Sequence, residues 1–196
     1  LSEGDMILTA DNGHQQLRWI GSQKVSSDRL IDEPNLRPIR IRKGALGDNT
    51  PSCDLVVSPQ HRVLVRSKIA MRMYDQPEVL VAAKFLLAVD GVSEVMDCDG
   101  VEYFHLLFDR HEVVRSNGAW TESLFTGPQA LKSVGPDARA EIMALFPELV
   151  APDYLAQSCR ELASGRKGRK LAFRHHKNQI ALVDRENGNT RTVVAA

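Results

Sequence analysis

The stretch Tyr103-Phe104-His105-Leu106-Leu107-Phe108-Asp109-Arg110-His111-Glu112-Val113-Val114-Arg115-Ser116-Asn117-Gly118 most constrains what this chain can fold into. It reads as two short strands around a charged corner, with an Asn-Gly turn at its end. His105 and His111 lie six residues apart within it. Upstream, Leu55-Val56-Val57-Ser58-Pro59-Gln60-His61-Arg62-Val63-Leu64-Val65 carries a third histidine, His61, at a break between two strands. Three imidazoles in a β-rich setting point to proton transfer, because histidine is the side chain that titrates near neutral pH. No obvious nucleophile accompanies them.

The first two thirds of the chain share this β character. Asp5 to Thr9 runs into Asp11-Asn12-Gly13 and then Gln16 to Ile20. The Asn-Gly pair supplies the positive φ angles of a tight hairpin. Pro38-Ile39-Arg40-Ile41-Arg42 alternates apolar and basic residues, as a half-buried strand does. Pro59 lacks an amide proton, so a ladder breaks there and His61 opens the next strand. Met71 to Tyr74 reads as another short strand. Val79 to Leu87 fits a helix or a strand. Val92 to Met96 and Val101 to Leu107 flank Asp97-Cys98-Asp99-Gly100, a hairpin tip.

Composition changes after Gly127. Pro136 to Phe146 carries helix formers behind an early proline and aspartate. Pro152 to Ala163 reads as a second helix, stopped near Gly165. The basic run Arg166-Lys167-Gly168-Arg169-Lys170 follows, and a short basic loop in a neutral chain reads as solvated surface. Alternation returns over Lys170 to His175, Gln179 to Asp184 and Thr190 to Val194, the last after Asn187-Gly188. The expected organisation is a β domain over 1–127, then a helical tail with a short β hairpin over 128–196.

Lys+Arg and Asp+Glu both number 25, so net charge argues for neither a nucleic acid nor a membrane surface as partner. An apolar fraction of 43% is enough for a true core. Cys53, Cys98 and Cys159 are odd in number and far apart, which fits neither a disulfide framework nor a zinc spacing. Cys98 sits between two aspartates that would raise its thiol pKa, so a hairpin-tip role is favoured over nucleophilic chemistry. Cys53 reads as an incidental thiol, and Trp19 and Trp120 as core or rim packing. Three histidines could bind zinc, but no cysteine or glutamate stands at a ligand spacing, so neither a metal nor a cofactor is expected. A soluble chain in a reducing compartment or a secreted one fits equally. The start at Leu1, without Met, suggests a fragment.

Together, Glu3 to Thr9, Leu17-Arg18-Trp19-Ile20-Gly21, Pro38 to Ile41, Ser58 to Val65 and Tyr103 to Gly118 resemble the Hint domain. This is the self-processing module of hedgehog proteins, inteins and bacterial intein-like proteins, and the resemblance is strongest to a bacterial intein-like branch. It covers about 1–127. It implies a mostly β, horseshoe-shaped fold of antiparallel strands, here with a C-terminal helical extension and a terminal hairpin. It also implies self-cleavage. In that chemistry a cysteine or serine opening the domain attacks the preceding carbonyl. The resulting thioester is then resolved by water or another small nucleophile. The substrate is thus the upstream segment of the same polypeptide.

By the same resemblance, the family's Thr-x-x-His motif falls on Ser58-Pro59-Gln60-His61. His61 would protonate the scissile nitrogen. Ser58 keeps a hydroxyl that could bond to the amide or position the imidazole. His111 falls on a later family histidine that assists thioester resolution. His105 lies near a position often held by a carboxylate or cysteine, and a histidine there can act as a base. The opening cysteine is absent, so the chain alone is expected to be inactive. No His-Asn pair follows Gly118, so cleavage is expected rather than splicing. Each histidine also has a plainer reading: His61 as a structural residue, His105 as a hydrogen-bonded core residue, and His111 as a solvated corner residue. The alternative function is a Hint-like structural or interaction module that has lost catalysis.

Overall fold

The computed structural model describes residues 1–127, 135–151 and 153–184. The chain begins with β1 (Met6–Leu8) and β2 (His14–Gln16), an antiparallel hairpin turning through Gly13. β3 (Trp19–Ser26) leads into the short helix α1 (Ser27–Asp32), and then β4 (Ile39–Ile41) and β5 (Leu55–Val57) pair antiparallel. β6 (Arg62–Arg66), α2 (Lys68–Tyr74) and β7 (Glu78–Ala82) follow. β8 (Val92–Glu94), β9 (Gly100–Leu107), β10 (Val113–Ser116) and β11 (Ala119–Glu122) complete the first two thirds. Beyond them lie α3 (Pro136–Leu145), β12 (Glu161–Leu162) and α4 (Gly165–Asn178). The fold is mostly β and antiparallel, and its longer helices lie after Gly127.

The central sheet has the order β10-β11-β6-β7-β12. β6 and β7 are buried on both faces, so they read as near-continuous apolar runs. The two-residue strand period still sorts their side chains. Val63, Val65, Val79 and Val81 join the main core, while Leu64 and Leu80 pack with Val113 on the other side. This burial settles Val79 to Leu87 as a strand followed by a 3-10 turn at Ala83–Phe85. Past the expected Asn117-Gly118 turn, β11 folds back on β10 as an antiparallel hairpin. Asn117 at φ 48° and Gly118 at φ 81° make its turn, where both central residues need positive φ.

β3 and β9 pair in continuous register from Trp19↔Leu107 to Ser26↔Gly100. Trp19 is buried with Leu107, Leu124, Ile142 and Phe146, and its Nε1 donates to Glu141 of α3 at 2.7 Å. This ring docks α3 onto the β body. A Cβ on Gly21 would overlap the Trp19 ring. Gly21→Ala is therefore expected to cost about 1–3 kcal/mol through overpacking. Urea unfolding measures this, and an unchanged midpoint would show that the Trp19 ring moves freely.

Several local readings are corrected. Met71 to Tyr74 lies in α2, not in a strand, because Ser67 caps the helix by accepting from Ala70 N at 3.0 Å. The segments around Asp97 to Gly100 are strands, but they do not pair with each other. β8 joins β4, and β9 takes its eight-residue partner β3. In the segment read as a helix over Pro152 to Ala163, Pro152 lies outside the described residues. The rest is not helical: Glu161–Leu162 adds a parallel strand to the β7 edge, and Ala163 N donates to Leu80 O at 2.9 Å. That edge satisfies the backbone that a helix would otherwise satisfy internally.

Lys170 to His175 lies within α4, not a strand. Gly168, Leu171, Ala172 and His175 are its buried positions, a helical stripe that the apparent alternation concealed. The basic run Arg166 to Lys170 forms the first turns of this helix. Lys167 lies over the Tyr74 ring and Arg169 over Phe85. Of the expected terminal hairpin, Val183 makes a single parallel bridge to Arg66, and Asn187-Gly188 and Thr190 to Val194 fall outside the described residues. Among the described residues, no helix is long and apolar enough to cross a membrane.

Candidate functional site

His61 is placed by its own local sequence. The Ser58-Pro59-Gln60 turn ends β5, and both Ser58 O and Ser58 Oγ accept from His61 N, at 3.1 and 3.2 Å. Ser58 thus fixes the backbone of His61 and not its ring. Ala83 N donates to His61 O and Lys84 N to Pro59 O, stitching the turn to the segment after β7. The next residue, Arg62, donates its backbone N–H to Glu122 Oε1 at 2.9 Å, and its guanidinium contacts both oxygens of that carboxylate.

Glu122 ends β11, where β11 meets β6 at Thr121↔Val63. Beyond it, Leu124 N donates to Leu106 O at 2.7 Å, drawing the β11 exit onto β9 beside His105. Ser123 and Glu112 exchange two hydrogen bonds, which hold the corner that carries His111. The His111 side chain is only 3% exposed, and its Nε2 lies 3.6 Å from Glu122 Oε2. Phe125 packs against this ring.

Charge couples the same groups. Desolvation lowers the His61 pKa; the Glu122 charge opposes this and Arg62 adds to it. Desolvation also lowers His105, to about 4, helped by nearby His61 and opposed by Glu122. Burial alone would raise the Glu122 pKa, but His111, Arg62 and His61 together outweigh it and hold the carboxyl below its usual range. Among the described residues, neither the His61 ring nor the His105 ring has a hydrogen-bond partner.

Of the three histidines taken from sequence, His111 lies against Glu122, His61 and His105 are within electrostatic reach of the same carboxylate, and Ser58 holds the His61 backbone. The β1–β2 hairpin borders this region: Ala10 N donates to Val113 O, and Thr9 bridges to Val114. Glu122 and Arg62 were not singled out from sequence. A single acid at a strand end carries no periodic signal, and only the β6–β11 pairing turns it into a hub. An open polar cleft nearby is lined by Asn12, Gln15, Asp109, Arg110 and Glu112, and by none of the three histidines. Among the described residues no group of three or more His, Cys, Asp or Glu side chains could hold a metal ion.

Histidines with lowered pKa make folding sensitive to acid. His175 belongs with them: desolvation lowers it, and its Nε2 lies 3.0 Å from Ser67 Oγ. The unfolded chain binds protons that these folded histidines refuse. Their stabilisation is therefore fully present above about pH 6.5 and is lost as pH falls toward their folded values. The expected slope reaches up to about 1.4 kcal/mol per pH unit for each histidine. Stability that stays flat in urea melts between pH 7 and 5 would contradict this.

The described residues form a mostly antiparallel β body in which His111 and Arg62 meet the Glu122 carboxylate where β11 pairs with β6. A family model described as the Hint domain matches residues 1–128, and the chain belongs to that family. No curated protein and no solved structure matches it.

Proposed function

We propose that this chain is the proton-transfer body of a self-processing domain of the bacterial intein-like kind, acting on the peptide bond at the domain's opening. The observation that carries this reading is the gathering of His61, His105 and His111 around Glu122. The hard step is an uphill acyl shift from an amide to a thiol, which needs a proton delivered to the leaving nitrogen and one taken from the attacking thiol. His105 stays neutral at pH 7 and, among the described residues, its ring has no hydrogen-bond partner, so its lone pair is open to the thiol proton as the thiol attacks. His61, once protonated, is a strong acid because its surroundings disfavour its charge, and it delivers its proton to the scissile nitrogen. Glu122 stabilises the transient imidazolium. Water or a small nucleophile then resolves the thioester.

The nucleophile in this reading is a cysteine preceding the Hint body, and the expected result for the 196-residue chain alone is no self-cleavage. The test is intact-mass analysis of the longer protein, with and without thiol, beside its Cys→Ala variant. Thiol-accelerated release of the upstream segment, lost in that variant, supports the proposal. A precursor that stays intact after prolonged incubation with thiol would instead favour the non-catalytic interaction module.

A further inference from the structure

His111 has a second side, which the acyl shift does not use. Its Nδ1 lies 3.3 Å from Ser158 Oγ, 3.3 Å from the backbone N of Cys159 and 3.5 Å from Cys159 Sγ. A backbone N–H can only donate, so Nδ1 presents a lone pair and the ring hydrogen sits on Nε2. That hydrogen faces Glu122, 3.6 Å away, and Nε2 has no closer partner among the described residues. Thiol, imidazole and carboxylate thus stand in line: nucleophile, base and orienting acid. Catalytic contacts of this kind are often long at rest and tighten in the reacting complex.

The segment carrying Cys159 is firmly held. Arg160 donates to Glu78 Oε2 at 2.6 Å and to both Asp11 oxygens, at 2.9 and 2.7 Å. Immediately after it, Glu161–Leu162 pairs with β7. Cys159 is therefore anchored beside His111 by the residues that follow it, and it lies outside the residues matched by the Hint family.

We propose that Cys159 is an acyl-accepting thiol served by His111 as base and Glu122 as its orienting acid, and that its substrate class is a thioester. A thiol and a thioester exchange without the uphill cost of attacking an amide. The Cys159 Sγ bonds to the acyl carbon, and the carbon–sulfur bond of the incoming thioester breaks. The Cys159 proton passes to His111 Nδ1 and then to the departing thiolate, so no oxidant or reductant is needed. Burial pushes the resting thiol up to about 11, against the pull of Arg160. Its reactivity must therefore come from proton transfer to His111 rather than from a standing thiolate. For its natural acyl donor the inference rests on the self-processing reading, but the exchange itself needs only a free thioester.

The test uses the 196-residue chain and an acetyl thioester of a small aryl thiol, with peptide mapping by mass spectrometry. Cys53, exposed and free, is the internal standard. Exposure and thiol pKa alone would make Cys159 the slower site. Base assistance should make it about tenfold faster than Cys53 at pH 7. His111→Asn should slow Cys159 acetylation about a hundredfold while leaving Cys53 unchanged, and Ser158→Ala should leave Cys159 reactive. Labelling of Cys53 ahead of Cys159 in the unaltered chain would overturn the proposal without relying on any variant. So would a His111→Asn protein with native circular dichroism and an unchanged Cys159 rate. A longer protein that processes itself while its Cys159 stays unlabelled would overturn this inference and leave self-processing standing.

Discussion

Replacing Glu122 with alanine should lower the stability of the chain by about 3 kcal/mol, at the lower end of what breaking a buried pair costs. Three groups lose a partner at once: the backbone N–H of Arg62, its guanidinium, and the buried ring of His111. The Arg62 side chain is 25% exposed and can recover some hydration, which limits the loss. The His111 side chain is 3% exposed and has no such recourse. Glu122→Gln, which keeps the shape and one carbonyl acceptor, should cost less. Urea unfolding at pH 7 measures both. A loss below about 1 kcal/mol for the alanine variant, the range of an exposed ion pair, would mean that Glu122 does not hold the cluster together.

His61→Ala should slow cleavage of the longer protein by about 10²–10⁴-fold, while its stability falls only through the space the ring vacates. The two effects separate because, among the described residues, the ring has no hydrogen-bond partner to lose, and the backbone contacts of residue 61 survive the substitution. Ser58→Ala is a useful contrast. It removes one acceptor for His61 N, but Ser58 O still accepts from the same group, so the expected loss is about 1 kcal/mol or less. Its effect on cleavage should be correspondingly small. Time courses by mass spectrometry separate the variants. A His61→Ala rate within threefold of the unaltered protein would take His61 out of the chemistry.

Much of the β body was legible in the residues. The Asn12-Gly13 and Asn117-Gly118 turns, the Ile39–Ile41 alternation and the break at Pro59 are local signals. Local backbone geometry decides them, and the structure keeps the last three; at the first, a hairpin forms, but through a longer loop in which only Gly13 of the pair has positive φ. The helix from Pro136 was legible for the same reason: its start signals are adjacent in sequence. The Hint resemblance, which lies in the order of several short segments, agrees with the family match over 1–128.

Where readings failed, a distant partner had prevailed over a local pattern. The segment around Asp97 to Gly100 has good hairpin chemistry, yet β9 gains eight paired residues with β3 and so leaves β8 to β4. Glu161–Leu162 is a strand because β7 offers an edge. Lys170 to His175 alternates on paper, but its burial follows a helical stripe set by the core it covers.

The site divides in the same way. Sequence alone determined that Ser58 and His61 share a turn, because their bond spans three residues, and that His105 and His111 flank one corner. Only the tertiary structure decided that these histidines share Glu122, and that Cys159 lies against His111. Charge and proton transfer act through a few ångströms of space, and those distances exist only after β6 pairs with β11 and the segment before β12 packs against the corner.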